Sequence, residues 1–327
     1  MTRAGRILLL VLILSPAAFS QSHPDRQIAI TIDDLPASAA QFMSAHEITD
    51  MTTRIVGALK QQQVRAVGFV NENKLYMRTG EVDARIAALN QWLDAGFELG
   101  NHTYSHPSFN KIGIKDFEES VIRGETITKT LLAQRGKKIR YFRHPFLNVG
   151  RDLQSRQELE SFLANRGYRI APVTFDPEDW GFAPIYDAAL RSGDTALQQQ
   201  IVASFLKYAD AVFDYDEKFS RELFGYEPSQ IILLHGNNLE ADHLGDLLDL
   251  LRKRGYRFVT LESALDDFAY GSPNTYVGDN GVGWLEQWAI TRSHILPKGA
   301  PEFPPEMQKL RKALPPPLAN APTPPVL

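Results

Sequence analysis

Seven short apolar runs, alternating with stretches of helical period, constrain this chain more than any other feature. The runs are 28–32 (IAITI), 66–70 (AVGFV), 97–99 (FEL), 139–142 (IRYF), 168–173 (YRIAPV), 231–234 (IILL) and 258–261 (FVTL). Most are rich in β-branched or aromatic residues, the pattern of buried strands. Between them, residues 47–63 carry Ile48, Met51, Ile55 and Leu59 on one stripe. Residues 82–95 do the same with Val82, Ile86, Leu89 and Leu93, and residues 241–254 with Leu244, Leu247, Leu248 and Leu251. Gly96 and Gly255 follow two of these stripes, the usual place of glycine at a helix end. Strand–helix alternation predicts a parallel sheet covered by helices, an α/β fold. Seven short strands buried on both faces favour closure into a barrel or near-barrel. A chain of 327 residues needs no second large domain to hold this.

The remaining segments depart from that rhythm. Residues 183–228 form a long interval. Within it, Asp194–Phe224 predicts one helix with Leu197, Ile201, Phe205, Tyr208 and Val212 on a stripe, a covering helix or an insertion at the barrel rim. After Tyr270 the pattern changes, so residues 271–313 read as a C-terminal extension packing on a domain that spans 21–270. Trp284 and Trp288, four apart, predict a docked helix that buries both rings. Residues 314–327 are Pro- and Ala-rich and read as a disordered tail. At the other end, Arg3 and Arg6 precede the apolar run Ile7–Leu14, then Ala18-Phe19-Ser20. This reads as a signal peptide over residues 1–20, cut near Gln21, and so as export to the periplasm or the medium. The apolar run falls short of the roughly 20 residues a spanning helix needs, so no membrane span is expected after cleavage. The absence of cysteine excludes a thiol nucleophile and a thiolate zinc site, and the net charge of −4 argues against a nucleic-acid partner. Nothing in the residues sets an oligomeric state.

The strands run into reactive side chains. Asp33-Asp34 follows the first, His102 and His106 the third, Arg143 the fourth, Asp176 and Asp179 the fifth, and His235 ends the sixth. In a parallel barrel every strand's carboxyl end faces one mouth, where these groups would meet. Two imidazoles and one carboxylate make the three-ligand set of a catalytic divalent metal with an open position. Such an ion lowers the pKa of a coordinated water toward about 7 and polarises a carbonyl. Neighbours on a strand end point in different directions, so one aspartate of the pair can serve the metal while the other accepts a proton. These residue types predict metal-assisted hydrolysis.

The order of motifs resembles the polysaccharide deacetylases, also called the NodB-homology domain or carbohydrate esterase family 4. TIDD (31–34), NHTYSH (101–106), RHPF (143–146), DPEDW (176–180) and ILLH (232–235) are similar to that family's five motifs, in order. The resemblance implies a distorted (β/α)7 barrel with a helical insertion and a C-terminal extension, and removal of acetyl groups from a glycan. It implies that Asp34, His102 and His106 hold one divalent metal ion, zinc first, with cobalt or nickel compatible with the same donors. It further implies that Asp33 is the general base, oriented by Arg143, and that His235 is the general acid, tuned by Asp179. Trp180 and Leu233 would wall the acetyl pocket, and the backbone N–H of Phe146 would hold the oxyanion. Asp33 is expected to stay ionised beside Arg143, and His235 to hold its proton beside Asp179. The implied partner is an acetylated glycan, with peptidoglycan or chitin-like amino sugars ahead of acetylated xylan. Two other functions compete: a catalytically silent glycan-binding barrel, and a metal-dependent hydrolase of a non-sugar amide or cyclic imide. His144 and His243 are expected outside the chemistry, as a rim or structural residue and as a solvated helix residue.

Overall fold

The computed structural model describes residues 25–315; the expected signal peptide and most of the expected tail lie outside that range. Seven parallel strands form one curled sheet: β1 (Gln27–Leu35), β2 (Ala66–Val70), β3 (Glu98–Asn101), β4 (Tyr141–Phe142), β5 (Arg169–Ile170), β6 (Gln230–His235) and β7 (Arg257–Val259). The helices are α1 (Ala45–Gln61), α2 (Val82–Asp94), α3 (Ile114–Arg123), α4 (Thr126–Ala133), α5 (Leu153–Asn165), α6 (Asp179–Ser192), α7 (Thr195–Phe224), α8 (Asn238–Lys253), α9 (Leu261–Leu265), α10 (Trp284–Thr291) and α11 (Pro305–Ala313).

The strand order is β5-β4-β3-β2-β1-β6, with β7 beside the first residues of β1. The open edges come together just past β5. There the chain bridges β6 through Phe175 and Ile232, with the Leu233 N–H on the Phe175 carbonyl at 2.9 Å. The result is a distorted (β/α)7 barrel. Its distortion lies at β4 and β5, two residues each, where the sequence predicted longer strands. Beyond Ile170 the chain bends inward over Ala171–Phe175, which are buried without a continuous ladder. β1 is longer than predicted and carries the acidic pair inside the strand, with Asp33 in register with His235.

The helices follow their stripes. α1 buries Ile48, Met51, Ile55 and Leu59 and starts on a Ser44–Glu47 capping box. α7 buries Ile201, Phe205, Tyr208 and Val212 and packs along α6 and α8. The extension closes a second apolar cluster, in which Trp284, Leu285 and Trp288 of α10 meet Leu147, Val173, Phe219 and Leu233. Trp288 is 1 % exposed. Among the described residues no helix is long and apolar enough to cross a membrane.

Candidate active site

The barrel brings the strand-end residues to one mouth. Asp34, His102 and His106 present one ligand atom each, all within 4.8 Å of one another. Asn71 at the end of β2 donates to the His102 carbonyl at 2.6 Å, and His102 Nδ1 lies 2.9 Å from the Arg143 carbonyl. A donor at Nδ1 leaves Nε2 with its lone pair, the orientation a metal ligand needs. Burial holds His102 well below the usual imidazole range and His106 down at about 4, so both rings are neutral near pH 7. Asp34 Oδ1 is buried, with the Lys74 ammonium at 2.9 Å and His106 Nε2 at 3.9 Å. Burial alone would raise this carboxyl, but the neighbouring Lys74 charge, with that of His235, overrides it and holds it below its ordinary value. Two neutral imidazoles and an ionised carboxylate, with their ligand atoms clustered, fit a divalent cation.

Asp33, the preceding residue of β1, is 2 % exposed. Its Oδ2 is 3.6 Å from His102 Nε2 and 3.7 Å from Arg143 Nη1. Arg143 is fully buried over the Phe69 ring, and its Nη2 donates to the Thr31 hydroxyl at 2.8 Å. The guanidinium therefore stands beside Asp33 without bonding it. Burial outweighs the Arg143 charge and pushes the Asp33 carboxyl up to about 6, a value at which it is still mostly ionised at neutral pH.

His235 faces the ion site from β6. Its Nδ1 lies 2.7 Å from Asp179 Oδ1, while Asp179 Oδ2 accepts the His235 backbone N–H at 2.9 Å and Asn237 Nδ2 at 2.7 Å. Burial would lower this imidazole, but the Asp179 charge and hydrogen bond raise it to about 10. Asn237 also caps α8, so one side chain joins the start of that helix to Asp179.

Phe146 sits on a short turn after β4, with its ring edge-on to His106 at 4.3 Å between centroids. The Leu147 and Asn148 N–H groups bond back to the His144 and Pro145 carbonyls, and the Phe146 N–H has no such partner among the described residues. Leu233 is buried against the α10 cluster. Trp180 is 41 % exposed, with Arg311 of α11 4.9 Å from its ring centroid. His144 is buried at 3 % against Phe142, a structural residue and not part of the rim. His243 is not freely solvated: it lies between Asp246 and the Tyr186 hydroxyl.

Two charged residues at the mouth went unremarked in the sequence. Lys74, in the turn after β2, places Nζ 2.9 Å from Asp34 Oδ1 and 3.3 Å from the Asp34 carbonyl. The strand-end rule, extended to β2, would have pointed to it. Glu240 of α8 is fully buried with both oxygens unpaired among the described residues, and burial together with the Asp179 charge raises it well above its usual range.

Residues 20–162 match the family model described as "Polysaccharide deacetylase". That stretch contains Asp33, Asp34, His102, His106 and Arg143; Asp179 and His235 lie beyond it. A peptidoglycan-N-acetylglucosamine deacetylase of Bacillus cereus is 26 % identical over 252 residues, 75 % of this chain and 70 % of that protein. The solved chitin deacetylase of Colletotrichum lindemuthianum superposes with a TM-score of 0.50 at 24 % identity, covering 75 % of this chain and 89 % of that one. A pseudoenzyme from Bacillus anthracis superposes equally, at a TM-score of 0.50 and 18 % identity, covering 75 % and 67 %. The shared fold thus accommodates both an enzyme and a protein without turnover, and function must be argued from the site.

Proposed function

We propose that this chain, whose residues 20–162 match the polysaccharide deacetylase family model, is a metal-dependent hydrolase that removes acetyl groups from an N-acetylated glycan. The observation that carries this reading is one constellation: the Asp34–His102–His106 donor set, with the Asp33 carboxylate on one side and a strongly basic imidazole on the other. A silent binding barrel has no use for a proton acceptor and a proton donor flanking the same cation site.

Asp34, His102 and His106 hold the ion, zinc before cobalt or nickel. When bound, the ion would supply Lewis acidity toward a water and the acetyl carbonyl. Asp33 accepts the proton of the attacking water; a value near 6 leaves it ionised at neutral pH yet basic enough to take that proton. The Phe146 N–H holds the oxygen on which negative charge develops. His235, its Nδ1 fixed on Asp179, donates from Nε2 to the departing nitrogen. The C–N bond breaks, and acetate and a free amine leave. Expulsion of an amine needs that proton, which favours acetamido sugars, and the names of the Bacillus and Colletotrichum relatives point the same way. Trp180 and Leu233 are assigned to the acetyl pocket by the motif resemblance, and export by the N-terminal sequence.

The test is acetate release from defined N-acetyl and O-acetyl oligosaccharides by metal-loaded and metal-stripped protein, beside Asp33→Asn and His235→Ala. Release is expected from the loaded parent alone, with at least roughly hundredfold loss in each variant. A folded, metal-loaded parent that is inert on every substrate would sink the proposal.

A further inference from the structure

The Phe146 loop is held from outside the barrel. Phe146 and Leu147 both adopt left-handed backbone, with φ of 57° and 54°, a conformation that side-chain-bearing residues keep only where surroundings over-determine it. The surroundings here come from the segment between Asn274 and Trp284, which crosses the loop as a strap. Gly281 lies so close to it that a Cβ would overlap the Phe146 carbonyl oxygen and stand 2.6 Å from the Leu147 carbonyl carbon. Gly281 is glycine for space, since no left-handed φ is recorded for it.

The strap is tied on both sides of that crossing. The Gly278 N–H donates to the Gly150 carbonyl at 3.1 Å, and the Trp284 N–H to the Val173 carbonyl at 2.7 Å. Asn110 joins loop and strap with one side chain. Its Oδ1 accepts the Gly150 N–H at 3.0 Å, while Nδ2 donates to the Gly278 and Asp279 carbonyls at 2.8 and 3.1 Å.

We infer that this strap is a positioning element of the active site, fixing the Phe146–Asn148 backbone so that the Phe146 N–H points at the reacting carbonyl. The inference rests on the deacetylase reading for the identity of that carbonyl. It gives the extension a role in turnover that neither glycan binding nor ion binding requires.

Gly281→Ala and Asn110→Asp in the full chain test it. The first forces a methyl group into the Phe146 carbonyl. The second removes both strap donors at nearly constant volume and keeps the fold accessible should the first misfold. Leu59→Ala, in α1 on the outside of the barrel, is the control for general destabilisation. Amide hydrogen exchange over residues 144–150 is expected to quicken at least about tenfold in both strap variants and not in the control. In metal-loaded protein, kcat is expected to fall roughly tenfold to a hundredfold with KM and ion affinity within about twofold. Exchange at parental rates in Asn110→Asp would overturn the inference, as would quickened exchange with unchanged kcat. If the parent itself shows no turnover, the deacetylase reading fails, and the exchange experiment alone decides whether the strap fixes the loop.

Discussion

Replacing Asp179 with Asn tests the acid half of the site most directly. Asp179 is fully buried and accepts three hydrogen bonds, from His235 Nδ1, the His235 N–H and Asn237 Nδ2. Asn has one oxygen. If it keeps the latter two donors, its NH2 faces Nδ1 and strips the ring of its anionic partner. His235 then has only burial acting on it from this side, which lowers an imidazole. The gap between about 10 and the ordinary 6.5 corresponds to about 5 kcal/mol at about 1.4 kcal/mol per pH unit. At about pH 8 the parent imidazole is nearly all protonated, whereas one at 6.5 or below is at most about 3 % protonated, a loss of roughly thirtyfold or more. At about pH 6 the same comparison gives less than a twofold difference for a value of 6.5. The acid's titration should dominate the ratio of variant to parent activity, which should fall steeply from pH 6 to pH 8. An activated aryl acetate, whose leaving group needs no proton, should lose far less. The assay is acetate release across that range on both substrates, with imidazole NMR following His235 itself. A flat ratio, or equal losses on both substrates, would refute the assignment of His235 as the acid.

Other outcomes follow from the same geometry. Because His235 is raised in the folded state, its contribution to stability is complete below about pH 6.5 and disappears as pH climbs toward 10; denaturant titrations should show that slope in the parent and not in Asp179→Asn. Lys74→Met removes a positive charge 2.9 Å from the Asp34 oxygen and should tighten divalent-ion binding by about ten- to a hundredfold in a chelator competition; weaker binding would mean Lys74 orients the carboxylate instead. Trp288→Ala, at a 1 % exposed position, should cost about 3–5 kcal/mol in chemical unfolding, and a cost near zero would contradict the docked α10.

Most of the fold was legible because both of its periods are written in local sequence. All seven strands form near their apolar runs, and α1, α2, α7 and α8 lie on the stripes that predicted them. The shortfalls sit at β4 and β5, where IRYF and YRIAPV carry strand-like residues yet only two of each pair. The chain there leaves the sheet to reach β6, a demand of closure that no local pattern encodes. The strand-end rule gathered the donor set because a parallel barrel converts distance in sequence into proximity at one end. Carried on to β2 it reaches Lys74, but it is silent on Glu240, whose neighbours are set by the entry of α8. For Asp33 the nearby cation was visible in sequence, whereas burial, the largest influence on its carboxyl, is a property of the packed barrel. Gly281 left no signal, since a glycine needed for room looks like any other in a Gly-rich stretch.

The placement of strain explains why a site built on seven strands carries so much structure outside them. Eight non-glycine residues among those described have left-handed backbone, and six of them belong to the mouth: Asp34, Thr103, His106, Phe146, Leu147 and Glu178. Such corners are unfavourable for L-residues, and each is braced by a polar or steric contact. Lys74 bonds the Asp34 carbonyl. Asn101 accepts the Thr103 N–H, and Thr103 in turn accepts that of His106. Asp176 accepts the Glu178 N–H, and Tyr208 of α7 donates to the Glu178 carboxylate at 2.8 Å. The strap presses on Phe146. Two of these braces, Tyr208 and the strap, come from the long α7 interval and the C-terminal extension, the segments that fitted the barrel rhythm least. Their sequence irregularity and their position are one fact: they answer to corners at the mouth, and the periodicity of strand and helix has no bearing on them.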